Sequence, residues 1–95
     1  MVITLTDSAS RQIKDMMKEE PENVYFRFGV QGGGCSGLSY IMGFDENVNE
    51  ELDLVAEING IPVVINKQDI PIIENTVIHY KENLMGAGFS INNPN

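Results

Sequence analysis

The chain is short of the residues from which most site chemistry is built. Its 95 residues hold one cysteine, one histidine, no tryptophan and six basic side chains. A single cysteine closes no intramolecular disulfide, and no apolar run approaches the ~20 residues needed to span a membrane. The opening Met1-Val2-Ile3-Thr4-Leu5 is too short for a secretion signal and lacks its basic residues. A soluble protein of a reducing compartment, the cytoplasm, is expected. Fourteen acidic residues against the six basic ones give a formal charge of −8, which repels phosphate backbones and anionic membrane surfaces. Neither nucleic acid nor membrane is an expected partner, and a bound cation would benefit from the field. Several enzymatic signatures are missing too. Gly32 and Gly37 have the spacing of a phosphate-binding loop, but Leu38 stands where its lysine would be; Gly86 and Gly88 lack the third glycine of a dinucleotide fingerprint. There is no CxxC pair and no nucleophile-elbow serine. Without repeat, linker or low-complexity tract, residues 1–95 are expected to form one domain.

What is present centres on Gly32-Gly33-Gly34-Cys35-Ser36-Gly37, where the only cysteine sits among residues without side chains. Glycines there let the backbone adopt positive φ angles, Gly34 in particular, and bring amides close to a ligand. Successive amides in such a turn favour a thiolate over a thiol. The alternative is a flexible connection in which Cys35 is a small buried apolar residue.

The flanking pattern frames that stretch. Val2 to Leu5 alternate as a short strand, and Thr6-Asp7-Ser8 supplies three possible caps for a helix. Ala9, Ile13, Met16 and Met17 recur on one face of that helix and are assigned to the core, with Pro21 stopping it. From Val24 the period becomes two: Val24, Phe26, Phe28 and Val30 face one way, Tyr25, Arg27 and Gln31 the other. Beyond the cysteine, Leu38, Tyr40, Met42 and Phe44 alternate again, so the two strands are expected to pair as a hairpin with Cys35 near its tip. Tyr25, Tyr40 and Ile41 complete either a subunit contact or a second layer of core. Asp45, Asn47 and Asn49 match the start of a calcium-binding loop, but Glu50 and Ala56 occupy its glycine and bidentate-carboxylate positions, so Asp45 to Asp53 reads as a solvated connection. Asn59-Gly60 predicts a tight hairpin between strands at Leu52–Ile58 and Ile61–Ile65, with Pro62 at an edge or among the first strand residues. Lys67 to Asn75 reads as a short helix or turn with Ile70, Ile72 and Ile73 inward. Thr76–Lys81 and Phe89–Asn92, the latter after Gly86-Ala87-Gly88, read as strands, with His79 a surface or hydrogen-bonded histidine rather than a ligand.

The strings Gly32-Gly33-Gly34-Cys35-Ser36-Gly37-Leu38-Ser39-Tyr40 and Leu84-Met85-Gly86-Ala87-Gly88-Phe89-Ser90-Ile91-Asn92-Asn93-Pro94-Asn95 closely resemble the A-type iron–sulfur carrier family, also called HesB-like or IscA-like proteins. The opening Ile3-Thr4-Leu5-Thr6 before a helix extends the resemblance over essentially the whole chain. It implies an α+β, mostly β domain: two packed mixed sheets with one main N-terminal helix, usually assembled as a homodimer or homotetramer. It also implies binding of iron or an iron–sulfur cluster, [2Fe-2S] or [4Fe-4S], and delivery to client apoproteins alongside other assembly proteins. Of the family's three cysteine ligands, the first maps onto Cys35. The other two form a Cys-Gly-Cys motif beyond the segment matching Asn92 to Asn95, and these 95 residues do not contain it. Clusters normally take four thiolates, so this chain is expected to bind one weakly or with outside thiols. The competing reading, a redox-responsive or protein-interaction module, makes Cys35 a reversibly oxidised thiol.

Overall fold

The switch from one helical period to repeated two-residue alternation produces one long helix followed by paired strands. The computed structural model describes residues 2–32 and 38–94. Gly33, Gly34, Cys35, Ser36 and Gly37 lie outside the described residues, and with them the expectations for the cysteine loop.

Strand β1, Ile3–Leu5, runs into helix α1, Asp7–Met17. Of the three candidate caps, Thr6 is the one used: its hydroxyl accepts the Ala9 N–H at 3.3 Å. Ala9 and Ile13 are fully buried and Met17 packs against the same core. Met16 is 40% exposed, a correction to its core assignment. Ala9, Ile13 and Met17 follow one another at four-residue steps, and Met16, three residues from Ile13, falls on the rim of that stripe. Lys18, Glu19 and Glu20 then bond three residues back, tightening the helix end ahead of Pro21.

Six further strands follow: β2 Tyr25–Gly32, β3 Leu38–Asp45, β4 Asp53–Ile58, β5 Ile61–Asn66, β6 Thr76–Asn83 and β7 Gly86–Asn92. They form a four-stranded sheet in the order β3-β2-β5-β4 and, with β1, a three-stranded sheet in the order β1-β6-β7. Each contains one parallel pair, β2 with β5 and β1 with β6, so both are mixed, as expected. Phe26, Phe28 and Val30 from one sheet and Ile3, Leu5 and Ile78 from the other share a core with Ile13 of α1.

The Asn59-Gly60 turn has φ of 49° and 80°, the left-handed pair that a two-residue hairpin of this twist requires. Asn59 also donates from Nδ2 to the Leu5 carbonyl and Asp7 Oδ1, both at 3.0 Å, while its own carbonyl accepts from Ser10 Oγ at 2.7 Å. The turn thereby fastens β4–β5 to the start of α1. Pro62 sits among the first strand residues, not at an edge: β5 is interior, and Pro62 precedes the pairing with β2, which begins at Val63. A 3-10 turn, Lys67–Asp69, leads into the one-turn helix α2, Ile70–Ile73. There Ile73 is buried and Ile70 packs against the core, but Ile72 is 38% exposed. Successive helical residues point about 100° apart, so one turn cannot bury both Ile72 and Ile73. Gly86-Ala87-Gly88 belongs to β7 instead of preceding it. Leu84 and Met85 make the β6–β7 turn, closed by Asn83 Oδ1 accepting the Met85 N–H at 2.8 Å.

Candidate functional site

The glycine-rich segment is joined on both sides to strands that pair without a break. The β2–β3 register runs from Tyr25↔Asp45 to Gly32↔Leu38, so the backbone is fixed up to the residues that flank Gly33–Gly37. The alternation of Phe26, Phe28 and Val30 turns these residues into the core and leaves Arg27 and Gly29 on the outer face. On the inner face Phe28 stacks on Tyr40 at 5.8 Å and 10° between planes, and Phe26 meets Phe44 edge-on at 6.2 Å. Tyr40 is therefore part of the core layer, while Ile41, on the other face, is 43% exposed.

The outer face is held by charge. Arg27 Nε donates to Asp45 Oδ2 at 2.8 Å, its two terminal nitrogens donate to both oxygens of Asp53 at 3.2 and 3.0 Å, and one also reaches the Asn47 carbonyl at 3.3 Å. A planar guanidinium matches two carboxylates in this way because its donors are fixed in a fork. The Asn49 N–H donates to Asp53 and the Asn47 N–H to Asp45, each at 2.9 Å. These bonds hold both carboxyl groups below the ordinary carboxylate range: for Asp53 the Arg27 hydrogen bond is the main cause, for Asp45 the Asn47 amide and then Arg27. Arg27 is pushed up in turn, chiefly by Asp53. The solvated-loop reading of Asp45 to Asp53 is thus corrected at both ends, since Asp53 is buried and both aspartates are ion-paired. Sequence reasoning missed Arg27. The available signal was a lone cation on a strand face, with acidic residues at the two ends of the following connection.

A second fastening lies where β5 leaves β2. Asp69 Oδ2 accepts the Val30 N–H at 3.3 Å, and a Cβ added to Gly29 would stand 2.9 Å from that oxygen. Glycine at 29 is what lets the carboxylate come in. Together with Arg27, Ile41 and Asn66 these residues line a depression of about 260 Å³ on the outer face. Among the described residues no three His, Cys, Asp or Glu side chains are grouped to hold a metal ion. His79 is half-buried on β6, paired with Ser90 of β7.

Known proteins give this frame a context. The family described as iron–sulphur cluster biosynthesis matches residues 1–95. The chain is 52% identical over 94 residues to the uncharacterized protein SufA of Bacillus subtilis (strain 168), covering 98% of this chain and 78% of that one. It is 42% identical over 94 residues to the iron–sulfur cluster insertion protein ErpA 2 of Methylococcus capsulatus, covering 98% and 72%. The crystal structure of Escherichia coli SufA, involved in biosynthesis of iron–sulfur clusters, superposes with a TM-score of 0.82 at 27% identity, over 97% of this chain and 80% of that one. With residues 1–95 matched by that family and half its residues identical to a relative's, the chain belongs to the iron–sulphur cluster biosynthesis family.

Proposed function

We propose that this protein carries iron or an iron–sulfur cluster as cargo, ligated by the Cys35 thiolate, and hands it to client apoproteins without catalytic turnover. The observation that carries the reading is the β2–β3 hairpin. Its strands are paired up to Gly32↔Leu38 and fastened by Arg27 and Asp69, and in sequence the chain's one cysteine lies between them, in a chain of the iron–sulphur cluster biosynthesis family. The insertion function named for the Methylococcus relative supports delivery to clients. Clusters take four thiolates; Cys35 brings two from a homodimer and four from a homotetramer, so a homotetramer, or a homodimer with thiols of assembly partners, completes the ligand set of a [2Fe-2S] or [4Fe-4S] cargo. Weak binding suits a carrier, because cargo held loosely is cargo that can be released. Among the described residues no helix is long and apolar enough to cross a membrane, and the reading places the protein in the cytoplasm.

Delivery is tested by mixing reconstituted protein with an apo acceptor bearing a four-cysteine cluster site and following the visible circular dichroism anaerobically. The acceptor's spectrum should appear faster than with free iron and sulfide. A cluster that stays on this chain, or transfer no faster than from free ions, would contradict a carrier role.

A further inference from the structure

Asn59-Gly60 is the one place in the chain where an asparagine precedes a glycine, and that dipeptide is chemically labile. Glycine has no side chain to hinder its backbone nitrogen, which can attack the neighbouring carboxamide carbon. The bond from Gly60 N to Asn59 Cγ forms, the Cγ–Nδ2 bond breaks, and Nδ2 leaves as ammonia with the Gly60 amide proton. One water then opens the succinimide ring at either carbonyl and leaves aspartate or its β-linked isomer, isoaspartate. Nothing is oxidised or reduced, and water is the only co-reactant.

The fold sets this dipeptide where two parts of the molecule are fastened together. Both residues are exposed, so water reaches them, but the reacting group is committed elsewhere. Asn59 Nδ2 donates at 3.0 Å to the carbonyl of Leu5, the last residue of β1, and at 3.0 Å to Oδ1 of Asp7, the first residue of α1. Ring closure therefore asks for two things the turn withholds. The carboxamide must leave both acceptors, and Asn59, held at a φ of 49°, must rotate its ψ away from the value the turn requires.

The product inverts the chemistry of the fastening. A nitrogen that donates is replaced by a carboxylate oxygen that only accepts, and it faces the Leu5 carbonyl and the Asp7 carboxylate. Two hydrogen bonds become an acceptor against an acceptor and an anion against an anion. Isoaspartate also inserts a methylene into the main chain, in a two-residue turn whose length sets the Ile58↔Ile61 register of β4 with β5.

We infer that Asn59 is a covalent modification site: its bonds to Leu5 and Asp7 hold the amide intact, and deamidation releases the β4–β5 turn from the start of α1. Modification is tied to local opening, since each unfastening of the turn exposes the amide to attack and each completed attack keeps the turn unfastened. The inference is separate from the proposed cargo function, and metal-free protein is used to test it.

Folded protein and protein in denaturant are incubated side by side in mildly alkaline buffer, and deamidation is mapped by mass spectrometry with fragmentation that separates aspartate from isoaspartate. In denaturant Asn59 should be modified ahead of every other asparagine. In the folded protein it should react roughly 10–100-fold more slowly, the factor by which two ordinary hydrogen bonds reduce the open population. This comparison needs no variant. Asn59→Asp, which installs the product charge directly, should lower the melting temperature by about 4–8 °C. Adding Asp7→Asn should recover most of that loss, because an amide again faces a carboxylate. Equal rates in the fold and in denaturant, or another asparagine reacting first in denaturant, would overturn the inference. So would an Asn59→Asp protein that melts with the parent, or one that melts no higher when Asp7→Asn is added.

Discussion

Arg27 shows how much one side chain carries. It joins β2 to the loop after β3 and to the start of β4 through partners 18 and 26 residues away, and no local pattern in a sequence announces a bond over that separation. Phe28 is the opposite case: period-two alternation alone assigned it inward, and it is fully buried against Tyr40. Phe28→Ala should cost about 3–5 kcal/mol, read from the urea midpoint. A loss under about 1 kcal/mol would mean the site relaxes far more than large-to-small core changes normally allow. For Asp53 the sign follows from its lowered pKa in the fold. Such a group contributes stability above its unfolded value of about 3.9 and loses it as pH falls through the folded value. Asp53→Asn should be destabilised by about 1–3 kcal/mol at pH 7, and the gap to the parent should shrink as pH falls below about 4. Parallel urea titrations from pH 7 to pH 3 check this, and a gap that widens on acidification would contradict it.

At the scale of elements, legibility followed the strength of the local signal. Asn59-Gly60 was readable because few dipeptides tolerate two left-handed residues, and the observed angles are of that kind. Gly60→Ala should therefore cost about 1–2 kcal/mol from backbone strain. The added Cβ would also stand 2.8 Å from Lys14 Nζ, but that is the end of a flexible side chain and can swing away. Thermal unfolding of the variant checks the figure, and a melting temperature equal to the parent's would show the turn relaxing to another type. Elsewhere tertiary context overrode local preference. Gly86-Ala87-Gly88 has the composition of a turn, yet pairs with Lys81 to Asn83 along β6, because the Leu84-Met85 turn sets a register that continues through the glycines. The Ile-rich stretch around Pro71 gave its helix and the inward Ile70 and Ile73 but not the exposure of Ile72, since one turn is too short to bury all three. The fastening of Val30 by Asp69 was unreadable for a related reason: it exists only because β5 diverges from β2 there, leaving the Val30 amide to a side chain.

On the scale of the whole molecule, a core of apolar side chains from two mixed sheets and α1 fixes a hairpin, and in sequence the only cysteine of a chain of net charge −8 lies between the two strands of that hairpin. The fold class and the candidate ligand were both visible beforehand, the first through periodicity and family resemblance, the second because one cysteine among four glycines has few competitors. The carboxylates are the competitors that matter, since iron also binds oxygen ligands, and Asp45 and Asp53 are already committed to Arg27. The decisive measurement is anaerobic reconstitution with iron and sulfide of the parent and of Cys35→Ser, reading bound iron per chain and visible thiolate-to-iron charge-transfer absorption. The account requires the parent to take up iron with that absorption and Cys35→Ser to lose both while keeping its thermal transition. Equal iron stoichiometry in parent and variant would contradict it.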